Sequence, residues 1–238
     1  MMTHHIIARD THLTGTQVGE APDMLLLHAG GERRHVWRSV QARLARAGFT
    51  SVAYDQRGHG ESGGSVADGI SAFAIDVDAM LEAHPSVQFV VGASLGGMSL
   101  LLACASPHVQ TRLAGLVLVD VVPDPDPDRV RGFLSREGDG LARSPLVADI
   151  LSQGPRFMAA AAALTLPVLL VRAGQKGPMS DAEVRRFREV CPRLTVAQID
   201  AAGHLIARDA PVALADEILA FCQGAGHSLP NQISRPPS

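Results

Sequence analysis

Ser94 lies in Gly92-Ala93-Ser94-Leu95-Gly96, and His204 lies in Asp200-Ala201-Ala202-Gly203-His204-Leu205. A serine hydroxyl attacks a carbonyl only when a base takes its proton, and histidine, titrating near neutrality, suits that task. Acids, Asp120 and Asp181 among them, lie between the two in the chain, so the order serine, acid, histidine is available for nucleophilic catalysis through an acyl intermediate. The pattern G-x-S-x-G carries that meaning only at a strand-to-helix turn, where a strained serine presents its hydroxyl above a sheet and the glycines let strand and helix approach. The structural alternatives are a serine that merely caps a helix and a histidine that merely packs in a loop.

The elements around Ser94 meet that condition. Val87 to Val91 is a continuous apolar run suited to a central parallel strand, and Leu95 to Ala105 has helical composition. Similar short apolar runs recur at 24–27, 49–54, 113–119, 167–171 and 195–199, separated by helical spacing over 35–47, 70–84, 181–190 and 212–222. Residues 6–9 and 11–18 read as an antiparallel edge. His204 falls just past the last strand, at the carboxyl edge of the sheet that also ends in Ser94. The rhythm breaks at 121–165, where Asp124-Pro125-Asp126-Pro127-Asp128 precedes weak helical patterns carrying Phe133, Leu134, Leu146, Phe157 and Met158. That stretch reads as a small helical lid inserted into a core made of 1–120 and 166–223, and 224–238 reads as a flexible tail.

Composition narrows the choice of partner. The 238 residues are 46% hydrophobic with few aromatics, enough for one sizeable aliphatic core. A net charge of −3 provides no basic field for nucleic acid or an anionic membrane. Cys104, Cys191 and Cys222 are odd in number and widely spaced, which suggests neither disulfides nor a zinc site. No segment looks like a signal peptide or a membrane span, so a cytoplasmic enzyme is expected, without metal or organic cofactor.

With these pieces in order, the chain resembles the α/β-hydrolase superfamily, in the compact bacterial branch of esterases, lactonases and haloperoxidase-like perhydrolases. The resemblance rests on Leu-Leu-Leu-His-Ala-Gly-Gly (25–31), Tyr-Asp-Gln-Arg-Gly-His-Gly-Glu-Ser (54–62), Val-Gly-Ala-Ser-Leu-Gly-Gly-Met (91–98), Leu-Val-Leu-Val-Asp (116–120) and Ala-Gly-His (202–204). One departure is Ala29, where the family has glycine. The resemblance implies a mostly parallel eight-stranded sheet flanked by helices. It also implies Ser94 as nucleophile, His204 as base, an oxyanion hole from the N–H groups of Gly30 and Leu95, and His28 as a structural hydrogen-bonding residue. The loop holding Asp55, Arg57, His59 and Glu61 then buttresses the site rather than binding metal.

The acid is the open point. Much of the family places an aspartate where this chain has Gly177, which leaves Asp120, at the end of a strand, and Asp181, which follows Ser180 like the first turn of a capped helix; Asp120 is preferred. Trp37, Met98 and the lid's apolar side chains suggest an acyl group of modest size and low polarity. The expected activity is hydrolysis of a small carboxylic ester or lactone by a monomer or homodimer. Perhydrolysis, C–C bond hydrolysis and non-enzymatic ligand reception remain as alternatives.

Overall fold

A computed structural model describes residues 2–137, 141–174 and 177–225. Among them eight strands form one sheet in the order β1-β2-β4-β3-β5-β6-β7-β8. β1 (Met2–Ala8) and β2 (Thr11–Val18) make an antiparallel hairpin at one edge, and β2 runs antiparallel to β4 (Ser51–Tyr54). β3 (Met24–Leu27), β5 (Phe89–Ala93), β6 (Gly115–Val119), β7 (Val168–Ala173) and β8 (Leu194–Ile199) complete a parallel sheet with β4. β3 to β6 are buried at every position, which is why they read as unbroken apolar runs. The strand expected over 87–91 instead ends at Ala93, because Gly92 continues the ladder opposite Leu27 and Leu118.

Helices cover both faces. α1 (Arg38–Arg46) follows a 3-10 turn at Arg34–Trp37, and α2 (Ile70–Ala83) and α3 (Leu95–Ala103) precede the short α4 (Pro107–Gln110). Between β6 and β7 come α5 (Pro127–Glu137), a 3-10 turn at Leu141–Arg143, α6 (Pro145–Ser152) and α7 (Gly154–Ala162). α8 (Asp181–Val190), α9 (Ile206–Asp209) and α10 (Pro211–Gly224) follow. Trp37, Val40, Leu44, Leu214 and Ile218 fill one side of the sheet, and Phe73, Met80, Leu100, Phe157 and Phe187 fill the other.

The helices between β6 and β7 are tied to the core by polar contacts. The N-cap of α2 is Gly69, which has no side chain to offer; Asp149 of α6 supplies the missing acceptor, taking the Ile70 N–H at 2.8 Å. On the other flank, the Asp126 N–H donates to Glu183 Oε1 at 2.7 Å. Of the expected tail, Gly224 closes α10 and residues 226–238 lie outside the described residues. No helix among the described residues is long and apolar enough to cross a membrane.

Candidate active site

β5 delivers Ser94 at its carboxyl end, where the chain turns sharply into α3. Ser94 has φ 46° and ψ −108°, a backbone state that costs a side-chain-bearing residue about 1–3 kcal/mol and persists only when neighbours enforce it. They do so here through the Ser94 N–H, which donates to Val119 O at 3.1 Å, and through Ser94 O, which accepts from the Met98 N–H at 3.0 Å. The crossing of strand and helix is so close that a Cβ on Gly96 would lie 2.5 Å from Leu27 O. Ser94 does not cap α3 with its side chain. Its Oγ–H points instead to His204 Nε2, 3.0 Å away.

His204 follows β8 in a loop steadied by Asp209, which accepts the Gly203 N–H at 3.1 Å. Its Nδ1 lies 2.8 Å from Asp120 Oδ2, and an ionised carboxylate only accepts, so Nδ1 carries the proton and Nε2 is left to accept from Ser94. Asp120 closes β6 with φ 50°, is almost wholly buried, and has its other oxygen filled by the Ala173 N–H at 2.8 Å. A Cβ on Gly177 would lie 3.2 Å from Asp120 Oδ2. The position where the family resemblance places the acid is therefore adjacent to the carboxylate that reaches His204. Asp181 is elsewhere: it is exposed in the first turn of α8, paired with Arg172, in a helix start capped by Ser180 and Glu183.

Gly30 stands beside Leu95; a Cβ on it would lie 3.8 Å from Leu95 Cδ2. Among the described residues neither the Gly30 nor the Leu95 N–H is donated to an acceptor. The loop is held from three sides. His28 is fully buried, and burial lowers its pKa to about 4, so the ring is neutral near pH 7. Its Nε2 accepts the Gln56 N–H at 3.0 Å, which leaves the proton on Nδ1 to donate to Ala29 O at 2.8 Å. Gln56 Nε2 donates to His28 O at 2.6 Å, and His59 Nε2 accepts the Gly31 N–H at 3.1 Å. Gln56 and His59 come from the polar loop after β4, whose Arg57 grips Asp76 through two hydrogen bonds of 2.7 Å.

Two expectations need correction. Trp37 is fully buried in the core, because the face of Trp37, Val40 and Leu44 continues from the 3-10 turn into α1 and packs on the sheet. Met98, one turn past Ser94, is only 4% exposed and belongs to the same apolar cluster as Leu146 and Phe157 of the inserted helices.

The sequence shows Phe133 only as an apolar residue of the expected lid and does not single out Glu32, yet both neighbour His204. Phe133 of α5 packs edge-on to the imidazole, with ring centroids 5.0 Å apart. Glu32 follows the 28–31 loop; burial raises its carboxyl above the ordinary range, against the pull of the Ala29 N–H, Arg208 and His204. Both depend on loop and helix placement rather than on any motif. A separate cavity of about 280 Å³ between 66–71 and 145–153 is lined by Asp68 and Asp149 and includes none of Ser94, Asp120 or His204.

Comparison with known proteins places this geometry in context. An esterase of Mycobacterium tuberculosis is 36% identical over 110 residues, 44% of this chain and 35% of the relative. Bovine protein phosphatase methylesterase 1 is 34% identical over 121 residues, 48% of this chain and 32% of the relative. The chain thus matches about a third of the length of these curated relatives. Among solved structures, a haloalkane dehalogenase from Bradyrhizobium elkani superposes with a TM-score of 0.75 at 19% identity, covering 94% of this chain and 98% of that one. An E-2-(acetamidomethylene)succinate hydrolase superposes with a TM-score of 0.76 at 20% identity, covering 93% and 99%. At such identities the likeness speaks for the fold. The family model described as alpha/beta hydrolase fold matches residues 22–144, just over half of the sequence, and this chain belongs to that family.

Proposed function

We propose that the protein is a serine hydrolase of small carboxylic esters or lactones. The observation that carries the reading is His204 bridging Asp120 and Ser94, at 2.8 and 3.0 Å, beside the N–H groups of Gly30 and Leu95. Ser94 Oγ attacks the carbonyl carbon while its proton passes to His204 Nε2. Asp120 holds the imidazole in the tautomer that can accept, and the Gly30 and Leu95 N–H groups receive the developing oxyanion without reorganising. Collapse returns the proton to the leaving alcohol and leaves an acyl group on Ser94. Water then attacks the acyl carbon as its proton passes to His204 Nε2, the bond to Ser94 Oγ breaks, and Oγ takes that proton back as the acid departs.

The relatives, an esterase and a methylesterase, support this class. The insertion 121–165, of which residues 138–140 lie outside the described residues, acts as the lid in this reading. The test is labelling with a fluorophosphonate, read by mass spectrometry at Ser94, together with proton release from methyl and ethyl esters. Labelling and turnover that vanish together in Ser94→Ala support the reading. Neither labelling nor turnover in the wild type defeats it and leaves a ligand-binding protein.

A further inference from the structure

His204 Nε2 has two duties in an ester hydrolase: it takes the proton of Ser94 and gives it to the departing oxygen. The leaving oxygen must therefore come within about 3 Å of Nε2. The alcohol half of the ester lies on the His204 side of Ser94, and the acyl half lies away from it.

Phe133 packs against the imidazole of His204. The two rings meet at 5.0 Å and 71°, Phe133 is 8% exposed, and the His204 side chain is 12% exposed. α5 is firmly held in that position. Asp126 Oδ1 caps the Arg129 N–H at 2.8 Å, the Asp126 N–H is bound by Glu183, and Arg129 lies 3.8 Å from the same carboxylate. Glu183 is buried and fixed in turn by Ser180 at the start of α8. Residues 126, 129 and 130, and 133 fall on one face at helical spacing, so the anchored face is the one that brings Phe133 to the imidazole.

We infer that Phe133 selects the alcohol half of the ester, favouring small leaving groups over bulky ones while leaving the acyl half outside its reach. The inference rests on the hydrolase reading above. In the step concerned, the bond from Ser94 Oγ to the carbonyl carbon forms, and the bond from that carbon to the alkoxy oxygen breaks. The electron pair stays on the alkoxy oxygen, which takes the proton from Nε2, and the neutral alcohol departs past Phe133. Phe133 is thus a specificity-determining residue on the leaving-group side.

The experiment measures kcat/KM by proton release for two ester series with wild type, Phe133→Ala and Phe133→Leu. One series holds the acyl group at butanoyl and runs the alcohol from methyl to hexyl and cyclohexyl; the other holds the alcohol at methyl and lengthens the acyl chain. Wild type falls off steeply along the alcohol series. Phe133→Ala raises hexyl and cyclohexyl esters about tenfold or more relative to methyl, the scale on which a pocket discriminates small apolar groups, and leaves the acyl series unmoved. Phe133→Leu falls between them and serves as the test if the alanine variant does not fold. A flat alcohol profile in a wild type that is active and labelled at Ser94 overturns this inference alone, as does a Phe133 variant that shifts the acyl series instead. A wild type with neither turnover nor labelling overturns the hydrolase reading and this inference with it.

Discussion

Ser94 and Asp120 end neighbouring parallel strands, and both leave the sheet with positive φ, at 46° and 50°. Each is pinned by the next strand over: the Ser94 N–H donates to Val119 O, and the Asp120 N–H donates to Val171 O at 2.8 Å. Two side chains that would otherwise follow the pleat are thereby raised from the same edge, where His204 reaches both.

The backbone at Ser94 makes stability and turnover oppose each other. Glycine tolerates φ of 46° without a Cβ penalty, so Ser94→Gly relieves strain worth roughly 1–2 kcal/mol. We expect Ser94→Gly to melt several degrees above Ser94→Ala, at about 2–4 °C per kcal/mol for a chain of this size, with turnover lost in both. Calorimetry beside an ester assay checks it; equal melting points would show that the turn is relaxed with serine in place.

The two candidate acids separate by kinetics. Asp120→Asn keeps the shape but favours the wrong imidazole tautomer, and turnover should fall on the order of 10⁴-fold. Asp181→Asn alters only an exposed pair with Arg172 and should leave kcat/KM within about threefold, as surface ion pairs contribute little. The reverse pattern in purified, folded variants would reassign the acid.

Gly177 offers a test whose sign depends on background. In the wild type, Gly177→Asp pushes a second carboxylate against Asp120 and should reduce turnover. In an Asp120→Ala background the same substitution supplies a carboxylate in the space that opens, and activity should partly return. Loss in both backgrounds, measured on the same ester, would mean that position 177 cannot reach His204.

His28 links the loop beside Ser94 to pH. Its pKa in the folded chain, about 4, lies below the ordinary 6.5, so between those values the unfolded chain binds the proton more readily. Stability therefore falls on acidification from about pH 6.5 to 4, by about 3 kcal/mol from this residue at full extent. Denaturant unfolding at pH 7 and pH 4.5 should show a smaller loss in His28→Asn than in wild type. The buried His84, also held below its ordinary value by burial, adds a loss of the same sign in both proteins.

Much of the fold was legible because its signals are local. The helix at Asp181–Val190 matches the expectation to the residue, since Ser180 and Glu183 form a capping box that the sequence displays. The buried strands announce themselves as apolar runs. α4 and α9, of four residues each, are too short to show a helical period. Trp37 misled because spacing tells which residues share a face but not whether that face meets a pocket or the core. Phe133 was legible only as an apolar lid residue; its contact with His204 depends on how α5 is anchored to Glu183, far along the chain.

The hydrogen-bonded set of Asp120, His204 and Ser94 also bears on the order of events in folding. Ser94 and His204 are separated by 110 positions, and Asp120 and His204 by 84. Loops of that length close late, after local helices and neighbouring strands have formed. Recovery of enzymatic activity after dilution from denaturant should therefore lag behind recovery of the far-ultraviolet dichroism, which makes turnover a reporter of the last docking step of the chain.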